Sequence, residues 1–115
     1  MAPQATQEAV LCFLSSGTAH GIDGADVVRL DTHISTVFLA GERAYKMKRA
    51  LQLPYVDYST LDRRRAYCEK ELILNRRTAP MLYRRVAAVG RLPAGTLSID
   101  GAGTPVEWLV EMNRF

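Results

Sequence analysis

The segment Ala44-Tyr45-Lys46-Met47-Lys48 has the composition of a β-strand, and strand side chains alternate between two faces. Ala44, Lys46 and Lys48 therefore share one face, and Tyr45 and Met47 the other. Two ammonium groups beside a small alanine make poor core. They suit a face that looks into a cleft holding an anion. A solvated face, or a sheet edge guarded by lysines, is the competing reading of this segment taken alone.

A second pattern lies in the helical run that follows. With successive residues about 100° apart, Leu61, Cys68 and Leu72 cluster in one direction, flanked by Tyr67 and Leu74. Glu71 falls inside this apolar arc. Glu69 points away from it, where a surface pair with Arg65 would contribute only about 0.3–0.5 kcal/mol. A carboxylate turned toward the core is costly unless a cation meets it. Glu71 thus requires a partner from the sheet it packs against, and Lys46 and Lys48 are the nearest candidates. The alternative is a helix rotated enough for Glu71 to reach water.

The elements that must position these groups can be read from punctuation and periodicity. Residues 3–16 form a short amphipathic helix with Val10, Leu11, Phe13 and Leu14 as apolar contacts and Gly17 as its stop. Residues 15–24 carry loop chemistry. Strands are expected at 26–31, 35–40 and 44–49, the last two joined by a turn at Gly41-Glu42-Arg43. A connector interrupted by Pro54 follows. Ser59 or Thr60 caps a helix running to about residue 78, with Asp62 in its first turn and Pro80 just beyond. Residues 81–91, 96–99 and 106–112 read as further strands, the last placing Val106, Trp108, Val110 and Met112 on one face. The order predicts an α+β domain: a mostly antiparallel five-stranded sheet, one principal packed helix and a short N-terminal helix. The expected division is an N-terminal helix and loop at 1–25 and the main domain at 26–115.

An inward strand lysine held by a helix glutamate is how protein-kinase-like folds present a lysine to ATP phosphates. The runs His33-Ile34-Ser35-Thr36-Val37-Phe38-Leu39-Ala40-Gly41 and Ala44-Tyr45-Lys46-Met47-Lys48 resemble bacterial aminoglycoside-phosphotransferase-type proteins. So do Asp57-Tyr58-Ser59-Thr60-Leu61, Cys68-Glu69-Lys70-Glu71-Leu72 and Leu74-Asn75-Arg76-Arg77-Thr78-Ala79-Pro80. Such kinase-like domains are of the kind fused to a P-loop ATP-binding domain. The resemblance is strongest over residues 31–83 and resumes at 106–115, which looks like the last N-lobe strand entering the interlobe hinge.

The resemblance implies an ATP-binding N-lobe in which Lys46 holds phosphates, Glu71 positions Lys46, and Ala44 leaves room for adenine. Residues 32–36 would stand in for the glycine-rich loop, offering backbone N–H groups and the Ser35 and Thr36 hydroxyls. Glu111, Met112 and Asn113 would present hinge backbone to the adenine edge. Lys48 and Glu69 are the substitutes if the register is one step off. Implied cofactors are ATP and Mg²⁺; implied partners are a C-terminal lobe and a fused P-loop domain.

The sequence also departs from that family. It has no His-Gly-Asp or His-Arg-Asp catalytic loop, no kinase-type metal-binding Asp motif and no P-loop. Phosphoryl transfer needs a base and Mg²⁺ ligands, so the 115 residues alone are expected to be inactive as a kinase. The acceptor is not specified by these residues.

Charge suggests a rival. Residues 43–91 carry thirteen Lys or Arg against four acids, a net of +9, while the remainder carries −6. A small basic module for nucleic acid or for an acidic protein would fit this segregation. Against nucleic acid, Tyr45, Tyr55, Tyr58, Tyr67 and Tyr83 are scattered over different elements rather than aligned as a stacking platform. A lobe used only for protein contact is a further alternative. The longest apolar run is residues 9–14, too short to span a bilayer, and no secretory pattern precedes it. Cys12 and Cys68 are expected to be buried thiols in a reducing cytoplasm, and His20 and His33 to be loop residues without metal-ligand partners.

Overall fold

The computed structural model describes residues 3–115; the first two residues, part of the expected 1–25 unit, lie outside the described residues. Pro3 opens helix α1 (Pro3–Leu14), a position where its missing N–H costs nothing. The helix ends two residues earlier than expected. The hydroxyls of Ser15 and Ser16 donate back to the carbonyls of Leu11 and Phe13 at 2.8 and 2.6 Å. Gly17 is not its stop. It begins the one-turn helix α2 (Gly17–His20), capped by Ser16 and closed by Gly21 at φ 68°. A side chain at Gly17 would collide with the Ile22 carbonyl, so glycine is required there.

Eight strands follow: β1 (Val28–Asp31), β2 (Ser35–Ala40), β3 (Arg43–Lys48), β4 (Gln52–Leu53), β5 (Val56–Asp57), β6 (Tyr83–Arg91), β7 (Leu97–Ile99) and β8 (Thr104–Asn113). Helix α3 (Leu61–Arg76) lies between β5 and β6. It is capped by Thr60, whose hydroxyl accepts the Arg63 N–H at 3.1 Å, and it carries Asp62 in its first turn. The fold is α+β.

The main sheet has six strands rather than five, in the order β1-β2-β3-β8-β6-β7, with every neighbouring pair antiparallel. The sixth arises because the short run ending at Ile99 pairs fully with β6. The Pro54 connector also gains structure, as β4 and β5 form a two-stranded hairpin of their own. The β2–β3 turn needs only Gly41 and Glu42, with Gly41 at φ 59°.

Apolar clusters cover both faces of the sheet inside its exposed edge strand β1. Phe38, Met47, Ala87, Val89 and Leu109 pack with Val10 and Leu14 of α1. Val37, Leu39, Ala44, Val110 and Met112 pack with Cys68 of α3. The expected principal packed helix is α3, and the opposite face is sealed by the expected short N-terminal helix, α1. Its buried Val10 and Leu14 each contribute about 1.5–3 kcal/mol.

Candidate functional site

Pairing of β2 with β3 sets Ser35 opposite Lys48, Val37 opposite Lys46 and Leu39 opposite Ala44. These six side chains share the face over which α3 lies. Helix α3 brings Glu71 down between the two lysines. Lys46 Nζ donates to Glu71 Oε2 at 3.2 Å, and Lys48 Nζ to Glu71 Oε1 at 2.6 Å. Both expected partners are engaged at once, and the fallback through Glu69 is not used. Glu69 forms the surface pair with Arg65 at 3.1 Å.

The two lysines differ in setting. The Lys48 side chain is only 3% exposed and lies 5.1 Å from the centre of the Tyr58 ring, whereas Lys46 is 30% exposed and Glu71 14%. Burial works against charge on Lys48, but the Glu71 bond and charge outweigh it and leave the ammonium pKa above its ordinary value. Burial likewise works against Glu71, and the hydrogen bond and charge of Lys48, followed by Lys46, bring its carboxyl below the usual range. Burial, reinforced by the Glu71 charge, raises the Tyr83 hydroxyl. Burial also pushes the Cys68 thiol up to about 12, so it is neutral and unreactive at physiological pH.

The other expected site residues are placed differently. Ala44 is fully buried in the apolar cluster beneath α3, so as folded it lines core rather than an open adenine cleft. Ser35 and Thr36 face opposite sides of the sheet and do not converge on one ligand. Thr36 donates to Asp31 at 2.9 Å, while the buried Ser35 Oγ has no hydrogen-bond partner among the described residues. The Ser35 N–H is already bonded to the Thr32 hydroxyl at 3.0 Å. Glu111, Met112 and Asn113 form ladder, not open hinge. Met112 is in register with Ala44 on one side and Tyr83 on the other, and the Asn113 N–H donates to the Leu82 carbonyl at 2.8 Å. The Glu111 carboxylate is buried and held by Arg84 and Arg85, each at 3.0 Å, which lowers its pKa despite burial. Cys68 is buried as expected; Cys12 is exposed on α1, contrary to expectation. His20 stacks on Tyr45 with centroids 5.4 Å apart.

One polar network was not anticipated. Arg64, in the first turns of α3, donates to Glu107 at 2.9 Å and to the Tyr58 carbonyl at 2.9 Å. Gln7 of α1 donates to Glu107 and to the Lys48 carbonyl, both at 2.8 Å, and accepts the Ala50 N–H at 2.8 Å. The signal was present, since Arg64 lies one turn before Cys68 on the stripe that also carries Glu71.

Chemically, the arrangement fixes one carboxylate between two ammonium groups, one of them open to solvent. The cluster carries one more positive than negative charge. Among the described residues no group of three or more His, Cys, Asp or Glu converges. No helix among them is long and apolar enough to cross a membrane.

The chain is 32% identical over 85 residues to a protein of Mycobacterium bovis and to proteins of two strains of Mycobacterium tuberculosis, each described as uncharacterised. The match covers 74% of this chain and 15% of each relative, so the chain spans a small part of the length of the proteins it resembles. No family model matches, and no solved structure matches.

Proposed function

We propose that this domain is the nucleotide-phosphate-binding N-lobe of a kinase-like phosphotransferase of the aminoglycoside-phosphotransferase type. The observation that carries the reading is the partly exposed Lys46 side chain, whose ammonium is held by a glutamate from the overlying helix. Lys46 would meet ATP phosphates and Glu71 would fix its direction. Val28 and Leu30 support the reading from β1. They are exposed, and their register with Leu39 and Val37 puts them on the same face as Lys46. An apolar shelf beside a cation suits a nucleobase joined to phosphates. The base that activates the acceptor and the ligands for Mg²⁺ would come from outside these elements.

Titration with ATP in the presence of Mg²⁺, followed by amide chemical shifts, tests the assignment. Saturable shifts around β2, β3 and α3 are expected in the wild type. Lys46→Ala is expected to abolish them, and Arg65→Ala to leave them intact. Binding that survives Lys46→Ala, or no saturable binding at all, would reject it.

A further inference from the structure

Strand β1 is an edge of the main sheet: β2 pairs with one side of it, and no strand pairs with the other among the described residues. All four of its residues are exposed, Val28 and Leu30 included. Antiparallel alternation fixes what the open side presents. The Thr32 N–H donates to the Ser35 carbonyl at 2.8 Å. The backbone groups of Leu30 and Val28 therefore also point to β2, and those of Arg29 and Asp31 point outward. An edge that offers both donors and acceptors is a template for another strand. Charges of one sign would guard it. Here Arg29 and Asp31 alternate, and the pair is complementary to itself reversed.

We propose that β1 is a self-association surface, on which a second copy of this chain adds its own β1 antiparallel about a two-fold axis through Leu30. Among two-fold registers, this one alone satisfies backbone and side chains together. Arg29 faces Asp31 of the second copy, and Asp31 faces its Arg29, in hydrogen-bonded pairs built on the outward groups. The charges form a square of alternating sign, which extends the 3.1 Å Arg29–Asp31 contact already present within the strand. Leu30 meets its own copy at the axis. Moving the axis to Arg29 opposes two arginines and requires the Val27 N–H, which is already donated to the Gly24 carbonyl at 3.2 Å. Moving it to Asp31 opposes two carboxylates. An axis between residues sets outward backbone groups against inward ones. The other edge, β7, has no charge with which to fix a register. The proposal is independent of the nucleotide reading, since it uses the edge of the sheet rather than the face that carries Lys46. A contact this short supports a weak, reversible dimer.

Sedimentation equilibrium in low salt, over a series of concentrations, tests this on the whole 115-residue chain. The wild type is expected to pass from one copy to two as concentration rises. Arg29→Asp and Asp31→Arg should each abolish the dimer by setting like charges across the axis. An equimolar mixture of these two variants should restore it, a recovery that misfolding would not give. Disulfide capture checks the register, in a background where Cys12, exposed on α1, carries Cys12→Ser. Leu30→Cys should link two copies under oxidised glutathione, because Cα atoms in a non-hydrogen-bonded pair lie about 4.5 Å apart. Val28→Cys, displaced from the axis, should not. A wild type that stays monomeric at every concentration, a dimer indifferent to Arg29→Asp, a mixture that stays monomeric, or equal capture through Val28→Cys would overturn the proposal.

Discussion

At the scale of the residue, the Lys46–Glu71–Lys48 cluster makes stability depend on pH in two directions. The carboxyl pKa of Glu71 is depressed on folding, so its contribution is present above the ordinary carboxyl value of 4.5 and is lost as pH falls through the folded value. The Lys48 pKa is raised, so its contribution is present below 10.5 and is lost as pH rises through the folded value. The two together give a plateau between those limits. Glu71→Gln should remove part of the acid limb, visible as a smaller fall in Tm between neutral and acid pH; an acid limb identical to wild type would show that Glu71 is not ionically held. These groups were legible in the sequence because each depends on local periodicity alone. Alternation of two put Lys46 and Lys48 on one face, and the helical repeat put Glu71 over the core.

At the scale of the element, Glu107 joins three pieces of structure. It lies on β8, receives Arg64 from α3 and receives Gln7 from α1, with Arg64 and Glu107 only 4% and 0% exposed. Removing one member of a buried pair leaves a stranded charge, at a cost of about 3–5 kcal/mol. Glu107→Ala should therefore lower unfolding free energy by about that amount, measured by urea denaturation, whereas Glu69→Ala, which breaks only the surface pair with Arg65, should change it little. Equal losses in both variants would refute the distinction. The helical repeat marks Arg64 as facing the core, but its partners Glu107 and Gln7 come from two other elements. No local repeat announces that Gln7 will meet Glu107. The apparent hinge failed for a related reason: the register of β8 between β3 and β6 depends on the whole sheet, and it commits residues 111–113 to the ladder.

At the scale of the molecule, folding offsets part of the charge segregation seen along the chain. Arg64 meets Glu107, Arg84 and Arg85 meet Glu111, and Arg85 also meets Asp100. Acids from the C-terminal third thus neutralise part of the basic middle, and a linear count overstates the positive surface. Duplex DNA should accordingly bind weakly, with a shallow dependence on salt. Releasing Arg84 and Arg85 by Asp100→Asn with Glu111→Gln should steepen the slope of log affinity against log salt by about one to two. A steep slope already in the wild type would favour the nucleic-acid alternative.

Strand β8 is the last of the sheet's six strands in sequence yet sits inside the sheet, with Met47 in register with Leu109 on one side and Ala87 in register with the same residue on the other. During synthesis on the ribosome, the β1–β2–β3 meander and the β6–β7 hairpin emerge as two separate fragments, each with an unfilled edge. Neither can join the other until β8 clears the exit tunnel and slots between them. Until then α3 has only part of the floor on which it rests, and Lys46 and Glu71 are held together by little more than chance encounter.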